Sequence, residues 1–325
     1  MMTPDNWAAE GRKVLRKNQR GTATIWVNSW GTPCGISEYT SHLADEIPTL
    51  HVTDHPPEPH SIPLLHIQHE PGIYDAEQLT AYVKQAHRAG VPLAITEHRV
   101  VAQECPWEAD ANVLISLTTH GTEVLKNRWP DKRIYHFPCG CPTWALQRKA
   151  KRAKVIGVFG FLHPTKGFWR LLEVLRALPG TELLMFSHAR KLGFDEMWER
   201  DAAGLPVRRT AEFLSIGEIA CRLAAEADIL VYWYDEVPYA AASAAVRVGL
   251  ATGVPVLASP TQWFRDLQEV TYQPQDLLEG VRRLLEDTEL RQRLSAAARE
   301  YCRRYSWPRV AGWHLQLWNI MGVLW

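Results

Sequence analysis

The chain has no surplus of charge, no cysteine framework and no hydrophobic run long enough to cross a membrane, and each absence removes a class of protein. Its 325 residues carry 36 Lys and Arg against 36 Asp and Glu. Non-specific binding of a nucleic-acid backbone requires a surplus of basic side chains, so neutrality argues against nucleic acid as the main partner. No stretch of about 18 apolar residues occurs, which excludes a spanning helix. The opening MMTPDNWAAEGRKVLRKNQR lacks the apolar core of a secretory signal. The cysteines (Cys34, Cys105, Cys139, Cys141, Cys221 and Cys302) are scattered at irregular spacings, as in a cytoplasmic protein with reduced thiols. Only Cys139 and Cys141 lie close, and no second pair of soft ligands accompanies them, so they read as buried thiols at a turn and no metal is expected.

What is present suffices for two cores. At roughly 100–200 residues per domain the length predicts two domains, and 46% of the residues are hydrophobic. In the first half, short apolar runs alternate with helical patterns: strands at 22–30, 63–70, 91–98, 112–120 and 133–138, with helices over 36–47, 76–89 and up to about 128. Strands apolar on both faces, separated by helices, predict a parallel sheet covered on both sides. The period lapses after Cys141, where Arg148 to Lys154 holds five basic residues. This reads as a solvated linker, with a patch for acidic lipid headgroups or phosphates as the functional alternative.

The alternation then restarts. Strands are expected at 154–161, 181–188, 229–234 and 254–259, with helices at 166–178, 215–228 and 243–253, the second opening on a Ser215/Glu218 capping box. The fold expected is α/β, with two doubly wound, Rossmann-like domains facing across a cleft, at 1–145 and 146–305, and a final helix over 306–325 returning to the first domain. In open sheets of this kind ligands sit beyond the carboxyl ends of the strands.

Candidate residues lie in those loops. GTPCGISEYT (31–40) runs into a helix N-terminus, and Gly35 would let backbone approach a phosphate; it is neither a GxGxxG fingerprint nor a P-loop. GFLHPTKG (160–167) places Lys166 at a helix start, where a cation is unfavourable unless an anion lies nearby. Ser243 opens another helix, with Arg247 one turn in among apolar residues. His69, His98 and His120 fall at one edge of the first sheet. Of the 14 Trp, Trp26, Trp169, Trp198 and Trp233 read as core, while Trp30 and Trp263 follow strands and could stack on a sugar. Trp307, Trp313, Trp318 and Trp325 read as anchors of the last helix, with a membrane surface as the minority reading.

Together these residues resemble the retaining, family-4 glycosyltransferases of the GT-B fold, over nearly the whole chain. The resemblance rests on CGISEYT, LHIQHEPGIYD, PLAITEH, GFLHPTKG, ATGVPVLAS and YSWPRVAGWHLQLW. It implies transfer of a sugar from a nucleotide-diphosphate donor, UDP- or GDP-linked, to an acceptor hydroxyl, with no further cofactor and no metal. Gly35, His163 and Lys166 would contact the donor, and His98 would lie near the sugar. The chain departs from the family at Phe161, where Arg is usual, and at Ala240 and Val248, where two Glu are usual. Glu236 would then replace the first Glu, and Ser243 and Arg247 would hold the phosphates. Acceptors in surface polysaccharide or glycolipid synthesis are the first expectation, with peripheral membrane contact at the inner face as a corollary. The alternatives are a non-catalytic nucleotide-sugar or glycan binding protein, an epimerase, and a transferase acting on modified DNA bases.

Overall fold

The computed structural model describes residues 23–146, 154–189 and 193–322. In chain order the elements are β1 (Thr24–Trp26), α1 (Gly35–Glu46), β2 (His51–Thr53), β3 (Leu65–His69), α2 (Ala76–Arg88), β4 (Leu93–Glu97), β5 (Arg99–Val101), α3 (Pro106–Asp110), β6 (Val113–Ser116), α4 (Thr119–Arg128) and β7 (Arg133–His136). They continue with β8 (Lys154–Phe159), α5 (Phe168–Ala177), β9 (Thr181–Phe186), α6 (Phe194–Ala202), β10 (Val207–Thr210), α7 (Ile216–Glu226), β11 (Ile229–Tyr232), β12 (Tyr239–Ala241) and α8 (Ala244–Ala251). The last are β13 (Val256–Ala258), α9 (Leu277–Glu286), α10 (Thr288–Arg304) and α11 (Trp307–Ile320).

These elements form two compact units. One takes in the chain up to Gly140, the short piece Pro238–Ala242 and the chain from Tyr305; the other takes in Cys141–Val237 and Ser243–Arg304. The first is built on a parallel sheet of order β2-β1-β3-β4-β6-β7. Its inner strands β3 and β4 are buried along their whole length, which is why they carry no alternation of apolar and polar residues. On one face Ile25, Ala94, Val113 and Ile115 pack with Tyr39 and Leu43 of α1 and with Val310, Trp313 and Trp318 of α11. Trp307, Trp313 and Trp318 are thus core residues of the first unit; Trp325 lies outside the described residues. On the other face Leu65, Ile67, Leu93 and Ile95 pack with Leu79 and Val83 of α2 and with Trp107.

The second unit carries the parallel order β10-β9-β8-β11-β13. Connections from β8 run to one side and those from β11 to the other, so the switch in direction falls between these two strands. The Ser215/Glu218 capping box forms: Ser215 Oγ accepts from Glu218 N–H at 3.3 Å, and the Glu218 carboxylate accepts from Ser215 N–H at 3.2 Å.

The strand β12 departs from the periodic pattern. It pairs antiparallel with β5, in the register Tyr239↔Val101, Ala240↔Val100 and Ala241↔Arg99, so 238–242 belongs to the first unit although the sequence boundaries put it in the second. A three-residue pairing with a partner some 140 residues away has no local periodicity to announce it. The basic segment after Cys141 lies outside the described residues except for Lys154. Cys139 and Cys141 are both buried and reduced.

Candidate functional site

The loops that leave β8 and β11 meet at the switch point of the second sheet. After β8 the chain makes a tight turn at Gly160 (φ 147°), passes Leu162, and forms a single 3-10 turn over Pro164–Lys166. His163 starts that turn: its Nδ1 accepts from Thr165 N–H at 3.3 Å and lies 2.8 Å from Thr165 Oγ1. Lys166 therefore ends a short turn, and Gly167 stands between it and α5. Gly167 has φ 67°, and a Cβ there would lie 1.8 Å from the Trp233 carbonyl oxygen. The two loops are further tied by a hydrogen bond from Asp235 N–H to the Thr165 carbonyl, 2.8 Å. Gly167→Ala combines a left-handed backbone with this collision and should destabilise the chain by about 2 kcal/mol or more. Thermal unfolding checks this.

Three groups converge around the Gly160 backbone. A Cβ built on Gly160 would have the Lys166 ammonium nitrogen, the Tyr234 hydroxyl and the Ala245 methyl all at 3.9 Å. Lys166 Nζ is 5.1 Å from the centre of the Tyr234 ring, within cation–π range. Tyr234 Oη lies 3.3 Å from Ser243 Oγ, and its carbonyl accepts from Ser259 Oγ at 2.8 Å. Ser243 is the N-cap of α8, and its Oγ accepts from Val246 N–H at 3.5 Å. The point bounded by these groups thus has bare backbone on one side, an ammonium on another, and the N-terminus of an eight-residue helix on the third. That set of groups suits an anion.

Arg247 lies one turn into α8. It is 2% exposed, and its Nη1 donates to the Ser243 carbonyl at 3.0 Å, one turn back in α8. Glu236 is exposed, and its carboxylate accepts from Val237 N–H at 3.3 Å and from Gln262 N–H at 3.2 Å, capping the 3-10 turn Gln262–Leu267. Trp263 meets the Tyr234 ring edge-on at 5.5 Å. The pattern gives no hint of an aromatic ledge on the carboxyl edge of this sheet. Phe213, 52% exposed, lies nearly parallel to Phe161 at 6.3 Å, with His188 edge-on to Phe213 at 6.2 Å.

In the first unit the carboxyl edge of the sheet is rich in histidine. His98 follows β4 directly. Its backbone N–H donates to the His69 carbonyl at 2.9 Å, its Nε2 pairs with Gln68 Oε1 at 2.8 Å, and its ring meets Tyr39 edge-on at 4.9 Å. Burial, reinforced by His69 and His314, pushes the His98 imidazole down to about 3, so it is neutral at physiological pH. His69 is 1% exposed and its Nδ1 bonds the buried Glu97 carboxylate, which also accepts from Trp107 Nε1 at 3.1 Å. His120 lies in the first turn of α4, 3.8 Å from Glu123. Gly35 is the first residue of α1, exposed, with nothing within 4 Å of where a Cβ would stand. Trp30 is half-buried against Val27, Cys34 and Ile36. Among the described residues no group of three or more His, Cys, Asp or Glu could hold a metal ion, and no helix is long and apolar enough to cross a membrane.

No protein-family model matches the sequence, and no curated protein matches it. Solved structures do. A glycosyltransferase from Rickettsia africae superposes with a TM-score of 0.69 at 11% identity, over 94% of this chain and 99% of the other. Sucrose-phosphate synthase from Thermosynechococcus elongatus gives 0.67 at 15% identity, over 92% and 98%. Staphylococcus aureus TarM, in complex with fondaparinux, alpha-GlcNAc-glycerol and UDP, gives 0.62 at 13% identity over 79% of this chain, which spans 55% of the TarM chain. At such identities the likeness defines the fold: the chain has the two Rossmann-like units of GT-B glycosyltransferases.

Proposed function

We propose that the chain is a glycosyltransferase that moves a sugar from a nucleoside-diphosphate sugar to an acceptor hydroxyl, with retention and without a metal. The observation that carries the reading is the convergence of the Gly160 backbone, Lys166 and the N-terminus of α8 on one point at the switch of the second sheet. Breaking the bond between the anomeric carbon and the phosphate oxygen leaves the electron pair on the diphosphate. Lys166 and the N-terminus of α8 would stabilise that charge, the role a metal would otherwise fill. Retention without a protein nucleophile implies attack by the acceptor on the face the diphosphate leaves, the acceptor's hydroxyl proton passing to the departing phosphate oxygen, with His98 accepting a hydrogen bond from a sugar hydroxyl. Arg247 fits a supporting part, fixing the carbonyl at the start of α8, and His163 holds the turn that presents Lys166.

The donor's base would stack on the Phe213 and Phe161 ledge. An exposed ring loses little when removed from the folded chain, while base stacking on an aromatic is worth about 1–3 kcal/mol. Phe213→Ala should therefore weaken a nucleoside diphosphate roughly tenfold or more with the unfolding temperature of the free protein nearly unchanged. Titration calorimetry checks this. The acceptor we favour is a surface glycan or a lipid-linked one, in a cytoplasmic setting. A panel of nucleoside diphosphates and their UDP-, GDP- and ADP-sugars, read as thermal shifts and then as transfer or hydrolysis, tests the whole reading, because a ligand specific to the folded state raises apparent stability.

One observation favours a second reading, a protein that binds nucleotide sugar or glycan without turning it over. The positions where the resembled family carries Glu are Ala240 and Val248, 5% and 6% exposed, and the nearby Glu236 carboxylate is committed to two backbone N–H groups. A thermal shift without transfer or hydrolysis would decide for it.

A further inference from the structure

The geometry points to Gln68 as a positioning residue: its side-chain carbonyl locks His98 in the Nε2–H tautomer and leaves His98 Nδ1 as a standing hydrogen-bond acceptor for a ligand hydroxyl. The catalytic consequence rests on the glycosyltransferase reading; the tautomer does not.

Gln68 sits on β3, on the same face as His66, and is fully buried. Its Oε1 is 2.8 Å from His98 Nε2, while its own Nε2 is buried and meets no acceptor among the described residues. An amide oxygen can only accept, so the ring nitrogen it meets must be the one that carries the proton. That contact fixes one end of a neutral imidazole, and Nε2–H is also the tautomer that neutral histidine favours in water. The His98 backbone N–H is bound to the His69 carbonyl and the ring meets Tyr39 edge-on, so Nε2 is the ring nitrogen that faces Gln68. Nδ1 makes no hydrogen bond to any described residue.

The groups that surround His98 would keep this arrangement neutral. His69 and His66 face it from β3, Tyr39 from α1 and His314 from α11, and the carboxylate of the preceding residue, Glu97, is already bonded to His69 and Trp107. With no carboxylate against either ring nitrogen, nothing compensates a positive charge. His98 would therefore act as an acceptor only, unable to donate from Nδ1, which selects a hydroxyl over a carbonyl oxygen as its ligand.

Nitrogen NMR of uniformly ¹⁵N-labelled protein, with His98 assigned by its loss in His98→Ala, reads the tautomer directly. The expected wild-type spectrum shows a protonated Nε2, an unprotonated Nδ1, and a slowly exchanging Nε2 proton. Gln68→Leu should abolish that slowly exchanging proton, and Gln68→Glu, which supplies a carboxylate of the same shape, should retain it and raise the pH at which His98 titrates. Circular dichroism confirms the fold of each. A wild-type Nδ1–H tautomer, or a His98 titration unmoved in Gln68→Glu, overturns the assignment, and the wild-type spectrum decides even if the Leu variant fails to fold. In transfer assays Gln68→Leu should lower kcat about tenfold with the donor KM unchanged. If the tautomer is as assigned but no nucleotide sugar binds, it is the glycosyltransferase reading that fails.

Discussion

Replacing Lys166 by Met should lower kcat/KM for a nucleoside-diphosphate sugar by about two to three orders of magnitude, the loss that follows removal of one donor aimed at a developing negative charge in a preorganised site. The fold should survive. Lys166 is half-buried at the end of a turn held by His163 and Gly167, and its ammonium makes a cation–π contact with Tyr234 whose loss at such a site costs only about 0.5–1 kcal/mol. The free protein should therefore unfold at nearly its original temperature, while the stabilisation by a nucleoside diphosphate should disappear with the activity. Arg at 166 keeps the charge on a different shape and should restore binding more than turnover. His163→Ala is the informative control, because its ring serves the turn, and losing a cap of that kind costs about 1 kcal/mol without touching the charge. An undiminished thermal shift by UDP or GDP in Lys166→Met would place the phosphate elsewhere and leave the anion site without an occupant.

The parallel sheets were legible because buried strands and amphipathic helices impose different periods over many residues, and the elements of both sheets that carry loops to the site were read to within a few residues. Short or polar elements were not. The edge strands β2 and β10, with exposed or half-exposed residues such as His51 and Arg208, lack the continuous apolar run of an inner strand, and β12 is fixed by pairing with β5 alone. At the site, the loop that carries Lys166 was legible because it follows an apolar strand, but not the Gly167 turn that separates Lys166 from α5. Single-residue chemistry was not legible where a charge has two uses. Arg247 reads as a phosphate ligand because a guanidinium in an apolar helix needs a partner; that its Nη1 donates to the Ser243 carbonyl of its own helix is a detail the sequence does not show. Glu236 reads as a replacement carboxylate from its position; that its carboxylate also accepts from Gln262 N–H at the start of a 3-10 turn depends on a segment 26 residues away. Phe161 marked only a missing Arg; that it faces Phe213 across the ends of two strands is a tertiary fact.

Of the stability the folded chain loses between pH 7 and pH 5, two histidines of the first unit, His66 and His314, should together account for about 4 kcal/mol, and His98 adds to it by the same burial. His66 and His314 are both fully buried. Trp318 Nε1 donates to His66 Nδ1 at 3.2 Å, which leaves Nε2–H to donate to Thr96 Oγ1 at 2.8 Å; a second proton on His66 would have to displace the indole. His314 Nε2 lies 3.0 Å from Tyr39 Oη, and its Nδ1 is buried with no acceptor among the described residues to receive a proton's charge. Desolvation pushes His314 down to about 3 and His66 well below the ordinary range, His66 further so by the neighbouring His314 and His98. In the unfolded chain both titrate near pH 6.5. Between that pH and their folded values the unfolded state binds more protons, so the stability they contribute is complete above about pH 6.5 and falls as the pH drops, by about 1.4 kcal/mol per unit for each. At pH 5 each has lost about 2 kcal/mol. Urea unfolding at pH 7, 6 and 5 measures the slope. His314→Gln, which keeps a polar group opposite Tyr39 but cannot titrate, should remove about 2 kcal/mol of that loss, while a stability that stays level from pH 7 to pH 5 would mean that water reaches these rings. Because His98 shares the same wall of the sheet and is held neutral by the same burial, the acid that loosens the first unit is also the acid that would end its use as an acceptor, and any loss of activity below pH 6 should follow unfolding of the first unit and not titration of His98 in the intact site.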